Sequence, residues 1–187
     1  MSVFLLTMLA WFVLMIIGFS LLTIKLSFIT YILFLYLKYK VVKPVSDSEL
    51  PLCTVIVPAY NEGELVYKTL KSLVASDYPE EKLQIISIDD GSQDNTWEWM
   101  KKAQNELGNR VSIYQQPENR GKRHALYRGF KLGTGDVFIT VDSDSIVLKD
   151  TLRTMASPFV VNQDCGAVAG NVRVLNSKKA LSKLGKK

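Results

Sequence analysis

Three acidic residues stand at the carboxyl ends of apolar runs: Asp142 and Asp144 in FITVDSDSI, and Asp90 in LQIISIDD. An Asp-x-Asp pair leaving a buried strand can aim two carboxylates into one cleft. There they can hold a hard cation that bridges a diphosphate and neutralises it as it departs. Asp90 lies in Asp89-Asp90-Gly91-Ser92. It either accepts the imide N–H of a uracil ring or belongs to an ordinary Asp-Gly turn. The stretch Asn119-Arg120-Gly121-Lys122-Arg123 places three cations around a glycine at the start of a helix. Free backbone N–H groups and the helix dipole favour phosphate at such a place. Tyr60, in the turn Pro58-Ala59-Tyr60-Asn61-Glu62, is placed to stack on a base.

Several other chemistries are excluded. The single histidine, His124, lies between Arg123 and Ala125, so neither a zinc site nor a histidine-based triad can be assembled. Cys53 and Cys165 sit in apolar surroundings without a CxxC and read as reduced, buried fillers. The turn after the first apolar run has no GxGxxG, and no glycine lies five residues before Gly121, which rules out a dinucleotide fingerprint and a P-loop.

Positioning these groups requires strands that end at the cleft. Cys53–Val57, Leu83–Ile88, Val111–Tyr114 and Val137–Val141 are short apolar runs, which predicts four strands. Amphipathic helices are predicted between them: one with Leu65, Val66, Leu70, Leu73 and Val74 on a face, one over Asn95–Leu107 and one over Lys122–Leu132. A further helix is predicted from Asp150 to Val161. Asn61 with Glu64 three residues later predicts a capping box for the first of these helices. Trp97, Met100, Gln104 and Leu107 recur at helical spacing and read as packing rather than as a stacking platform. The alternation predicts an α/β fold: a Rossmann-like, mostly parallel sheet with helices on both faces, whose ligands bind beyond the carboxyl ends of the strands.

Ahead of this unit lies a different composition. Residues 1–37 carry one charge, Lys25, whereas the remainder holds the other 22 basic and all 18 acidic residues. Val3 to Ile24 is uncharged and matches the ~20 residues of a transmembrane helix. Leu26 to Leu37 is too short to cross again and either extends that helix or lies at the interface. Lys38, Lys40 and Lys43 follow the span and none precedes it, which predicts a single-pass plasma-membrane protein facing the cytoplasm, flanked by anionic lipid. The expected division is a transmembrane and juxtamembrane helix over 1–40, a linker over 41–51, a nucleotide-sugar-binding domain over 52–176 and a basic tail over 177–187. The tail has no interleaved aromatics, so no nucleic-acid partner is expected.

The segments TVIVPAYNEGE, SIDDGSQDNT, NRGKRHAL and TVDSDS, in this order, resemble the family 2 inverting glycosyltransferases with the nucleotide-diphosphosugar transferase fold. The resemblance spans residues 52 to about 176. The wording around Arg120–Arg123 and Asp142–Ser145, with GNVRVLN at 170–176, is most similar to membrane synthases of hyaluronan, chitin and poly-N-acetylglucosamine. It implies the donor half of the glycosyltransferase A fold, with Pro58, Tyr60 and Glu62 at the uridine pocket and Asp90 on uracil. It further implies Lys122 and Arg123 at the donor, Asp142 at the ribose or sugar and Asp144 on the metal, Mg²⁺ or Mn²⁺. The expected activity is transfer from a UDP-sugar, such as UDP-N-acetylglucosamine, to a growing polysaccharide acceptor.

Such enzymes also carry a later carboxylate that acts as base and a QxxRW-type motif. After Asp144 this sequence has only the carboxylates Asp150 and Asp164, so the expectation is a chain without its acceptor half. The alternative is an inactive UDP-sugar sensor or partner of a complete synthase.

Overall fold

The computed structural model describes residues 3–39 and 41–174. Lys40, the expected basic tail and the last two residues of the 170–176 stretch lie outside the described residues. The chain forms two compact units, Met1–Val41 and Val42–Lys187.

The first unit is one helix, α1 (Val3–Lys38). Leu26–Leu37 therefore extends the helix, and its 36 residues run about 54 Å at ~1.5 Å per residue. Its serine and threonine hydroxyls bond to their own backbone: Thr7 to the Phe4 carbonyl, Ser20 to Ile16, Thr23 to Ser20, Ser27 to Thr23 and Thr30 to Leu26. Hydroxyls paired in this way can face an apolar surrounding without leaving a donor unsatisfied.

The second unit holds β1 (Cys53–Ala59), α2 (Glu64–Val74), β2 (Leu83–Asp89), α3 (Thr96–Leu107), β3 (Val111–Gln115), α4 (Lys122–Leu132), β4 (Val137–Thr140) and α5 (Thr151–Val161). The strands form a parallel sheet in the order β3-β2-β1-β4. Each expected strand and helix is found, with ends moved by a residue or two. Val141 lies past β4, yet its N–H still donates to the Ile56 carbonyl at 3.0 Å.

Because side chains alternate along a strand, β1 supplies both faces. Val55 and Val57 join Val66, Leu70 and Leu73 of α2, Met100 of α3 and Leu152 of α5 in the larger core. Ile86 and Ile88 of β2 pack with Ala125 of α4 in the smaller one. On that face Gly129 lets α4 approach β1, since a Cβ there would come within 2.4 Å of Ile56 Cγ2. In the expected α3 stripe, Met100 is fully buried while Trp97 and Leu107 pack against the core edge.

Three expectations are corrected. The segment expected as a linker over 41–51 is packed down in part, because Leu50 is in the core and Val45 packs against it. Lys82 Nζ donates to the carbonyls of Asp47, Ser48 and Leu50 at 2.8–2.9 Å, and the Tyr78 hydroxyl to that of Pro51 at 2.7 Å. The polar, proline-bounded composition suggested a break, but distant side chains satisfy its backbone. The capping box is absent as well: α2 starts at Glu64 with Gly63 at its N-cap and no side-chain cap bond. Asn61, at φ +54°, turns its side chain to the Gln93 N–H instead, at 2.9 Å. Finally, Cys53 is buried, which pushes its thiol up to about 11, but Cys165 is only half-buried; both are free thiols.

Gly129→Ala is expected to lower the stability of the full chain by about 1–3 kcal/mol, because the buried Ile56 cannot yield to the added methyl. Thermal or chemical denaturation in detergent measures it. An unchanged midpoint would show that α4 does not sit this close to β1.

Candidate functional site

The strand order reverses at β1, with β2 and β3 on one side and β4 on the other. In a parallel sheet this reversal opens a crevice beyond the carboxyl ends of the two strands where it occurs. A cavity of about 350 Å³ lies there. Pro58, Ala59, Tyr60 and Glu62 after β1 line it, together with Asp90 after β2, Asn119, Gly121 and Lys122 at the start of α4, and Asp142, Ser143 and Asp144 after β4. The structure thus gathers Pro58, Tyr60, Glu62, Asp90, Lys122, Asp142 and Asp144, whereas of the three cations around Gly121 only Lys122 lines the cavity, and Arg120 and the exposed Arg123 do not.

Asp89 and Asp90 are adjacent but differently used. Asp89 is fully buried; its Oδ1 accepts the Ser92 N–H at 3.0 Å and the Ser92 hydroxyl, and its Oδ2 accepts Gln115 Nε2 at 2.9 Å. It shapes the loop. Asp90, 2 % exposed, lines the cavity, and its Oδ1 accepts Gln116 Nε2 at 2.7 Å and the Arg120 N–H at 3.1 Å. That second bond needs the 116–120 segment to lie against the turn. Gly91, at φ +74°, permits it: a Cβ there would stand 2.5 Å from the Glu118 carbonyl carbon.

The opposite wall carries both signs of charge. Lys122, the first residue of α4, forms an ion pair with Asp142, both exposed. The first turn of α4 contains no acidic residue, so its N–H groups and dipole remain favourable to an anion. Glu62 holds its proton more tightly than an ordinary glutamate, chiefly because burial strips water from it and further because Asp144, Asp94 and Asp142 repel its charge.

A cation near Asp142 and Asp144 would relieve that repulsion. Among the described residues no three His, Cys, Asp or Glu side chains converge as a complete cage. This donor set suits an ion of the Mg²⁺ type, which takes one or two carboxylates and completes its shell with phosphate oxygens and water.

Residues 54–185 match the family described as Glycosyl transferase family 2. The chain belongs to glycosyl transferase family 2. It is 36% identical over 140 residues to the poly-beta-1,6-N-acetyl-D-glucosamine synthase of Staphylococcus aureus, an alignment covering 75% of this chain and 33% of that protein. It is 33% identical to the probable glycosyltransferase YdaM of Bacillus subtilis, over 72% of this chain and 32% of that one. The chain therefore spans about a third of the length of these relatives. Among solved structures, a mannosyltransferase from Pyrobaculum calidifontis in complex with GDP-Man and Mn²⁺ aligns with a TM-score of 0.65 at 29% identity, covering 78% of this chain and 43% of that one. S. aureus TarS 1–349 aligns at 0.54 and 25% identity, over 67% of this chain and 40% of that one.

Sequence reasoning missed Gln116 and Thr96. Thr96, fully buried at the start of α3, accepts the N–H groups of Glu62 and Gly63, both at 2.8 Å, and donates to Asp94 Oδ1 at 2.5 Å. With Ser92 Oγ accepting the Asn61 N–H at 3.0 Å, it clips the loop after β1 to the loop after β2. Its signal was only a hydroxyl at a helix start, indistinguishable from a local cap. In this family 2 chain, Thr96→Val leaves two backbone donors unpaired, and each buried orphan costs about 1–3 kcal/mol. A clear drop in melting temperature is expected, restored by Thr96→Ser; a wild-type melting curve for Thr96→Val would exclude the clip.

Proposed function

We propose that this chain is the membrane-anchored, donor-binding region of a glycosyltransferase that holds a UDP-sugar, UDP-N-acetylglucosamine or a similar donor, through Mg²⁺ or Mn²⁺. The sugar passes to a growing polysaccharide of the hyaluronan, chitin or poly-N-acetylglucosamine kind. The observation that carries the proposal is the convergence of four loops on one cavity with an aromatic ring, a buried carboxylate, a cationic helix start and an Asp-x-Asp pair. These match, in order, a base, its N–H edge, a diphosphate and a divalent cation. The S. aureus relative, a poly-beta-1,6-N-acetyl-D-glucosamine synthase, supports the choice of sugar and product. The similar mannosyltransferase, in complex with GDP-Man and Mn²⁺, supports a nucleotide sugar with a divalent cation as the ligand class.

Tyr60 would stack on the base and Asp90 accept its imide N–H. Lys122 and the N–H groups of the first turn of α4 would receive the diphosphate, while Asp142 and Asp144 hold the cation. The cation would supply positive charge to the diphosphate as the bond to the sugar breaks. The long, apolar α1, with its serine and threonine hydroxyls paired to its own backbone, supports membrane anchoring. The lysines that follow it support a cytoplasmic face, where activated nucleotide sugars are made.

Calorimetry on the full chain in detergent tests the donor and metal roles. UDP is expected to bind in the presence of Mn²⁺, and Asp144→Asn to weaken that binding by about tenfold or more. Wild-type affinity in Asp144→Asn would sink the metal assignment. The anchor has a separate test: after alkaline carbonate extraction the chain is expected in the membrane pellet, and its release into the supernatant would refute a spanning α1.

A further inference from the structure

We infer that Gln116 sets which base this site accepts, by occupying one oxygen of Asp90; the inference rests on the donor-binding reading above and adds the residue that makes it selective. Asp90 is 2 % exposed and Gln116 8 % exposed, so neither is shaped by bulk water. The backbone N–H of Gln116 donates to the Asp89 carbonyl at 2.8 Å, fixing it just past the end of β3. Its amide then donates to Asp90 Oδ1, which also receives the Arg120 N–H. Among the described residues, Oδ2 takes no hydrogen bond, and none of their buried side-chain oxygens or nitrogens lacks a partner. Oδ2 is therefore not sealed in, and it is the oxygen Asp90 has left for the cavity it lines.

A carboxylate with one open oxygen distinguishes the bases. Uracil offers a single imide N–H flanked by two carbonyls. One open acceptor matches it, and the donors covering Oδ1 remove a bare oxygen that would repel the neighbouring carbonyl. Guanine offers two parallel donors, N1–H and the 2-amino group, which pair best with both oxygens of a carboxylate at once. With Oδ1 already taken, guanine keeps one bond and buries an unpaired donor, which disfavours it. Neutral cytosine and adenine present a ring-nitrogen acceptor where a donor is required. The fold itself does not make this choice, since the similar mannosyltransferase was solved with GDP-Man. Gln116 is thus a positioning residue, acting on the base through Asp90.

The experiment compares UDP and GDP by calorimetry on the full chain in detergent with Mn²⁺. UDP is expected to bind about tenfold tighter than GDP or better. Gln116→Met keeps the length and removes the donor, and it is expected to narrow the UDP-to-GDP ratio by about tenfold. Gln116→Asn draws the amide back from Oδ1 and is expected to act in the same direction, so the test stands if one variant fails to fold. A ratio is the informative readout, because a merely structural residue would weaken both nucleotides alike. Equal affinities in the wild type would overturn the base preference while leaving the donor reading intact. An unchanged ratio in the folded Gln116 variants would overturn the role of Gln116. Binding of neither nucleotide would overturn the donor reading and this inference with it.

Discussion

The site depends on the hydrogen-bonded ladders on both edges of β1. Cys53–Ala59 pairs in parallel with Leu83–Asp89 on one side, and Cys53–Ile56 with Val137–Thr140 on the other. Parallel pairing brings the carboxyl ends of all three strands to one edge. The register then decides which loop residues meet. Ala59 lies opposite Asp89, so the chain leaves both strands together, and the Asp90 N–H donates to the Ala59 carbonyl at 2.9 Å. A slip of one residue would send Asp89 toward the cavity and bury Asp90 in the loop.

Around that frame the loops are joined to one another rather than to their own helices. Asn61 reaches Gln93, Thr96 reaches Glu62 and Gly63, and Asp90 reaches Gln116 and Arg120. Local capping chemistry has been redirected into bonds between loops, which fixes the cavity wall at the cost of a weaker start to α2. The same preference explains the close approach at Gly91, where a side chain would separate two segments that share Asp90.

Most of the fold was legible in the sequence because its signals are local and periodic. Apolar runs of four to seven residues alternate with helical stripes, and the acidic motifs follow the strands directly. What could not be read were bonds between residues far apart in the chain. Asn61 and Glu64 have the spacing of a capping box, yet Asn61 is engaged 32 residues away. Residues 42–51 have a linker's composition, yet Lys82 and Arg153 hold them down. Gln115 and Gln116 look alike in sequence, but the pleat and the end of β3 give one to Asp89 and the other to Asp90. Lys122 was separated from Arg123 in the same way, since successive residues on a helix face about 100° apart.

The Lys122–Asp142 ion pair gives the cavity a further property. Each of the two side chains is held by the other and would, on the proposed reading, also be sought by a ligand of opposite sign. A diphosphate that draws Lys122 away leaves Asp142 ready for a cation, and a cation that takes Asp142 leaves Lys122 ready for a diphosphate. If both bind as proposed, the two ligands would share one switch, and linkage would require each to raise the other's affinity by the same factor. On the proposed donor-binding reading the pair would make the site somewhat more receptive to both ligands together than to either alone, by a modest amount because both side chains are exposed.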